Sequence, residues 1–277
     1  MSGEKAHRLN RPVTGRKALA TPVSMLIIFF SLTLVSTIAY YQALSRIDAR
    51  KETLKQVAAE EKMLGLEEAI SSAAWSPGSS RVVSFSDYGG ELRVEPAGNH
   101  LKINLTLGAS RQVVFNSSTG RVVFQLPSAT SRRVGSWLRG DERAIVNKSA
   151  AYQAQVHIER GAEAAELIVG YRPLVSSSLG GLVAGRRVNN ICIYIINLNG
   201  SQAIETEGEF HVKVLCSGVS SRVYTYNLSS SIASVGITAT LSGSERTVEV
   251  PVTSGPSGST VRVEVLVCGV ELRGVSV

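Results

Sequence analysis

With 277 residues, 44% of them hydrophobic, the chain is long enough for one or two domains with a real core. Its formal net charge of +7 looks like a nucleic-acid signal until its distribution is read. Lys5, Arg8, Arg11, Arg16 and Lys17 against Glu4 put +4 on the first 18 residues and leave +3 on the other 259. The three cysteines, Cys192, Cys216 and Cys268, have no C-x-x-C spacing, which argues against a zinc-stapled fold.

In chain order, residues 1–18 read as a polar, basic leader without expected structure. No charged residue occurs from Ala18 to Ser45. That run is longer than the roughly 20 helical residues needed to cross a ~30 Å hydrocarbon core. Pro22 falls in the first turn, where its missing N–H does no harm. Nothing then stops the helix before Pro77-Gly78. The expectation is one helix over residues 19–76, transmembrane over 19–41 and roughly 80 Å long at the α-helical rise. Basic residues gathered before the apolar run place the N-terminus in the cytoplasm and residues 42–277 outside.

The junction itself carries a resemblance. Arg16-Lys17-Ala18-Leu19 sets a basic pair and one small residue directly before the apolar run, whereas a secretory signal peptide is cut after its apolar core. This resembles the archaeal type IV pilin-like family, whose class III signal peptides lose a basic leader at such a junction and keep the hydrophobic helix. The resemblance covers residues 1 to about 75. It implies cleavage by a prepilin peptidase between Ala18 and Leu19, with Lys17 on the leader side. Bacterial pilins usually carry Glu at the fifth mature position; here that place is Val23, which fits the archaeal branch. The implied role is a structural subunit of a surface filament, used for adhesion or cell-surface contact. Its partners would be the membrane, copies of itself or other pilin-like subunits, and the peptidase. A single-pass surface glycoprotein acting as a binding module accounts for the same residues.

Past Tyr41 the helix becomes amphipathic. Ile47, Leu54, Val57 and Leu64 mark an apolar stripe, but Arg50 and Glu61 interrupt it, which argues against a clean coiled coil. After Pro77 the apolar period changes to two. Leu101-Lys-Ile103-Asn-Leu105-Thr-Leu107, Phe210-His-Val212-Lys-Val214 and Val261-Arg-Val263-Glu-Val265 all alternate as half-buried strands do. Ile191 to Ile196 is apolar on both faces and reads as a central strand. Turn signals such as Ala97-Gly98-Asn99 and Ser242-Gly243-Ser244 separate the runs. The region 79–277 is therefore expected to be an all-β, sandwich-like ectodomain. It is either one unit or two subdomains, 79–172 and 173–277, joined near Tyr171-Arg172-Pro173. Ser128–Ala151 reads as a short helix or a long loop.

Five of the ten asparagines stand in N-x-S/T context: Asn104, Asn116, Asn147, Asn199 and Asn227. All lie on the side read as outside, which makes them candidate glycosylation sites. Asn199, beside Gly200 in an expected turn, is the best placed, and Asn104 needs its side chain to leave an alternating strand. An outside compartment permits one disulfide, and three pairings of the cysteines are equally open. Cys216 is in phase with Phe210, Val212 and Val214 and should face a core. Gly180-Gly-Leu-Val-Ala-Gly185-Arg186-Arg187 has P-loop glycine spacing without the Lys-Ser/Thr pair, and reads as a β-loop. No H-E-x-x-H or G-x-S-x-G occurs, so no enzyme, metal or cofactor is expected.

Overall fold

The computed structural model describes residues 20–86, 88–126, 133–147, 152–162, 164–200, 204, 208–229 and 232–275. It holds one long N-terminal helix, α1 (Ala20–Ala73), followed by an all-β domain of two curled sheets. The strands, in chain order, are β1 (Ser80–Phe85), β2 (Glu91–Leu107), β3 (Ser110–Gln125), β4 (Trp137–Arg139), β5 (Val146–Asn147), β6 (Ala154–Arg160) and β7 (Ala165–Tyr171). They continue as β8 (Leu174–Val183), β9 (Arg186–Gly200), β10 (Phe210–Leu228), β11 (Ser234–Leu241), β12 (Ser244–Pro251) and β13 (Ser259–Val275). Two compact units divide the chain after Thr53. The first contributes α1 up to Thr53, and the second holds the rest of α1 together with the β domain.

The end of α1 is built into that second unit. Ala59, Met63, Leu66, Ile70 and Ala73 are each 1% exposed or less. Their spacing of four and three residues keeps them on one helical face. This is not the expected stripe: Ile47, Leu54 and Val57 are exposed and Leu64 is only half-buried. Two carboxylates enter with the buried face. Glu60 pairs with Arg133 at 2.7 Å, and Glu67 pairs with Arg139, whose other nitrogen reaches Glu68 at 3.0 Å. The Tyr171 hydroxyl donates to the Glu67 carbonyl at 3.2 Å. The helix ends at Ala73, short of the expected residue 76, because Trp75 takes a left-handed φ of 69°. The Ser79 hydroxyl then caps the freed Ala73 carbonyl at 2.7 Å.

The six-stranded sheet runs β1-β10-β13-β9-β8-β5 and the seven-stranded sheet β12-β11-β2-β3-β7-β6-β4. β1 pairs with β10, and β11 pairs with β2. Each sheet therefore mixes strands from before and after Pro173, so the division into subdomains 79–172 and 173–277 does not occur. β9 lies between β13 and β8, the central place its apolar sequence suggests. The described part of the ambiguous stretch gives the short strands β4 and β5 rather than a helix. The glycine-rich stretch at 180–187 forms the β8–β9 hairpin, with left-handed turn residues Ala184 and Gly185.

Side-chain parity reveals two cores. On β13, Val261, Val263 and Val265 enter one cluster, while Cys268, Val270 and Leu272 enter the other with α1. On β9, Ile191, Ile193 and Ile195 share the first cluster, and Ile196 and Leu198 the second. The parallel β9–β13 register is unbroken from Arg187/Ser259 to Gly200/Leu272. Since successive residues point to opposite faces, this sheet is a wall shared by two cores, one on each face and offset along the strands. The sheets meet at Gly120 of β3, where an added Cβ would lie 1.9 Å from the Leu198 carbonyl oxygen. Its N–H donates to Asn197 Oδ1 at 3.0 Å.

Arg172, whose side chain is fully buried, locks the β4–β6 region. It donates to the carbonyl oxygens of Tyr152 at 2.8 Å and Arg143 at 3.0 Å, and pairs with the Asp141 carboxylate. Hydrogen bonds from Arg143, and then from Arg172, hold Asp141 well below the usual carboxylate range. Asp141→Asn leaves the buried guanidinium without its counter-charge and should cost about 3 kcal/mol in denaturant unfolding. A depressed folded pKa contributes stability above the unfolded value of about 4, and this is lost as pH falls below it. The melting temperature of the wild-type chain should therefore drop below about pH 4, and less steeply in the Asn variant.

Candidate membrane anchor and modification sites

Every described side chain from Pro22 to Leu54 is exposed. Within this stretch Ile28, Phe29, Phe30, Leu32 and Val35 are each at least 64% open. A helix apolar on all sides has no face to turn toward water. Three of its hydroxyls bond back onto the helix itself. Ser31 donates to Ile27 O at 2.7 Å, Thr33 to Phe29 O at 2.8 Å and Thr37 to Thr33 O at 2.8 Å. Hydroxyls bonded to the preceding turn leave no donor stranded in hydrocarbon. Tyr40 and Tyr41 close the run, where aromatic rings with polar tips suit a lipid–water boundary. Charge resumes at Arg46. The helix is long and apolar enough to cross a membrane. Lys17, Ala18 and Leu19, the residues of the expected cleavage, lie outside the described residues.

The five candidate asparagines fall in different surroundings. Asn104 is 5% exposed, which removes it as an acceptor in the folded chain. Leu101, Ile103, Leu105 and Leu107 keep their alternate places in one core cluster, and Asn104 is on the opposite face of β2, paired with Val113 of β3 on one side and the buried Thr238 of β11 on the other. Asn116 is exposed on β3 together with Ser117 and Ser118. Asn227 is exposed on β10 and accepts a hydrogen bond from Thr260 Oγ1 at 3.0 Å. Asn147 is exposed on β5. Asn199 is exposed but sits in β9 opposite Glu271 rather than in a turn.

Of the cysteines, Cys216 and Cys268 are buried and Cys192 is half-buried. The core position expected for Cys216 is what the structure has. Among the described residues no cluster of three or more His, Cys, Asp or Glu side chains is arranged to hold a metal ion.

Among the described residues are two open clefts that sequence reasoning did not find. One, of about 450 Å³, is lined by Trp137, His157, Glu159, Glu142, Asn99 and Arg121 among others. The Trp137 and His157 rings lie 4.5 Å apart, and His157 Nε2 is 2.8 Å from Glu159. The other, of about 560 Å³, runs beside Phe115, Asn116, Arg222 and Tyr224. Trp137 lay in the ambiguous stretch Ser128–Ala151. Its meeting with His157 depends on the β4–β6 pairing, Trp137 opposite His157.

Expressed in a cell that glycosylates exported chains, Asn116→Gln should lose one glycan by intact mass. Asn104→Gln should leave the glycan mass unchanged and lower the melting temperature, since it enlarges a buried side chain.

No family model matches the chain, and neither a curated protein nor a solved structure does.

Proposed function

We propose that the chain is a pilin-like structural subunit of a surface filament. Residues 19–41 would pack in the filament core, and the glycosylated β domain would face outward for adhesion or cell-surface contact. The observation that carries this reading is the helix segment apolar around its whole circumference, with the Ser31, Thr33 and Thr37 hydroxyls turned back onto the helix. Such a segment needs apolar surroundings on every side. Lipid supplies them first, and neighbouring copies of the helix supply them in a filament. Ser31, Thr33, Ser36, Thr37 and Ala39 are small enough to let helices approach closely. The N-terminus is cytoplasmic and the β domain extracellular in this reading, and no nucleic acid is bound.

Assembly demands loss of the leader. The basic pair Arg16-Lys17 is held at anionic headgroups by about 1 kcal/mol per charge. Small Ala18 lets the scissile bond enter the prepilin peptidase. An uncut leader would carry five basic residues toward an apolar core, where charge is costly. A second reading, a membrane-anchored surface glycoprotein that acts singly as a binding module, draws on one observation of its own. The cleft beside Trp137 and His157 offers an aromatic face with hydrogen-bonding groups around it, as small polar ligands require.

N-terminal sequencing of protein from its native membrane separates the two. The filament reading expects Leu19 as the first residue. Lys17→Glu and Ala18→Trp should each leave a precursor heavier by the 18-residue leader, inserted and folded but absent from filaments. Wild-type protein that keeps residues 1–18 would remove the filament reading and leave the single anchor.

A further inference from the structure

The cysteines divide by position along the shared sheet. Cys216 on β10 and Cys268 on β13 are 1% and 0% exposed. They are 52 positions apart in sequence, and their Sγ atoms approach to 3.5 Å. Their strands are antiparallel neighbours. The bulge after Cys216 sets it opposite Val270 while Cys268 faces Val219, so the thiols meet diagonally inside the core that holds α1. Cys192 is elsewhere. It pairs with Glu264, four places along β13 from Cys268, a separation of roughly 13 Å at the strand rise. A bridge needs Cα atoms within about 7 Å. We infer that Cys216 and Cys268 are the disulfide-forming pair of this chain and that Cys192 stays a thiol. Only the place where the bond forms in the cell rests on the extracellular reading of the β domain.

The chemistry is thiol–disulfide exchange with a disulfide-bearing oxidant, oxidised glutathione or an oxidoreductase. One cysteine thiolate attacks the oxidant, forming a mixed disulfide and releasing one thiol. The second cysteine then attacks the mixed disulfide, the intramolecular S–S bond closes and the second thiol departs. Two protons and two electrons pass to the oxidant. This exchange belongs to the open chain. Both sulfurs are buried, the Trp75 N–H rests on Cys268 Sγ at 3.5 Å, and burial pushes the Cys268 thiol up to about 11. Cys268 carries little thiolate at neutral pH once the end of α1 has docked. The bond closes before docking and is shielded from reductants after it.

The test uses the full chain in detergent micelles, unfolded and refolded in a glutathione redox buffer. Free thiols are then alkylated and the peptides mapped. The expected map has one cross-link, Cys216–Cys268, and one alkylated cysteine, Cys192. The oxidised protein should melt about 10 °C above the same sample with reductant, because the bond closes a long loop of the unfolded chain. Cys216→Ala and Cys268→Ala should lose that difference, and Cys192→Ser should keep it. A cross-link that includes Cys192, or three alkylated cysteines after oxidative refolding, overturns the inference; the wild-type map decides this even where a variant fails to fold. Protein alkylated at lysis of its native cells separates the two readings. A Cys216–Cys268 bond there supports both. Three free thiols there, with the bond present in the refolded sample, support the pairing and overturn the extracellular placement.

Discussion

The docking of α1 against the two sheets is the constraint on which the second unit depends. Ala59, Met63, Leu66, Ile70 and Ala73 form the stripe that the sheets close over, and burying each of the larger ones stabilises by about 1.5–3 kcal/mol. Area alone would let a helix slide or roll. Glu60 and Glu67, one heptad apart on the buried side, prevent this. Each is nearly out of water, and each holds one arginine, Arg133 or Arg139. A shift of one turn would separate both pairs and strand two carboxylates, which costs far more than the pairs gain over an apolar contact. The ion pairs therefore set the axial position and the rotation of the helix more than they add stability.

The six-stranded sheet answers the same constraint with length. β10 and β13 are long enough to serve the helix-containing core at one end and the sheet-on-sheet core at the other. That arrangement leaves edges to be managed. β12, at the rim of the seven-stranded sheet, carries Glu245, Arg246 and Glu249 and ends in Pro251, the charges and missing donor that discourage a further strand. Gly120 is the reverse case: it is bare of side chain so that the two sheets can touch.

Much of this was legible in the sequence. Alternation located the long strands, the Ile191–Ile196 run located a central one, and the uncharged run before Arg46 located the exposed half of the helix. What stayed hidden depends on pairing or on small residues. The docking stripe is built partly from Ala59 and Ala73, which no hydrophobic pattern flags, whereas the conspicuous Ile47, Leu54 and Val57 are in the open. Asn104 alternates as a solvent-facing residue should, and nothing local says that it will be flanked on both sides, by β3 and by β11. Pro173 looks like a boundary because nothing local says that β11 will return to β2. The cleft at Trp137 and His157 likewise exists only once β4 lies beside β6.

The place of β13 in the six-stranded sheet has a consequence in time. It is the last strand of the described chain, yet it stands inside the sheet, between β10 and β9. The sheet cannot close until β13 is made, roughly 200 residues after α1 is complete. At synthesis rates of about 5–20 residues per second that is on the order of 10–40 s. Helices form from local bonds in microseconds, whereas pairings this remote in sequence are slow. The chain therefore spends most of its synthesis with a finished helix and an incomplete six-stranded sheet. For that interval the stripe from Ala59 to Ala73 is the face of the nascent protein most in need of a chaperone.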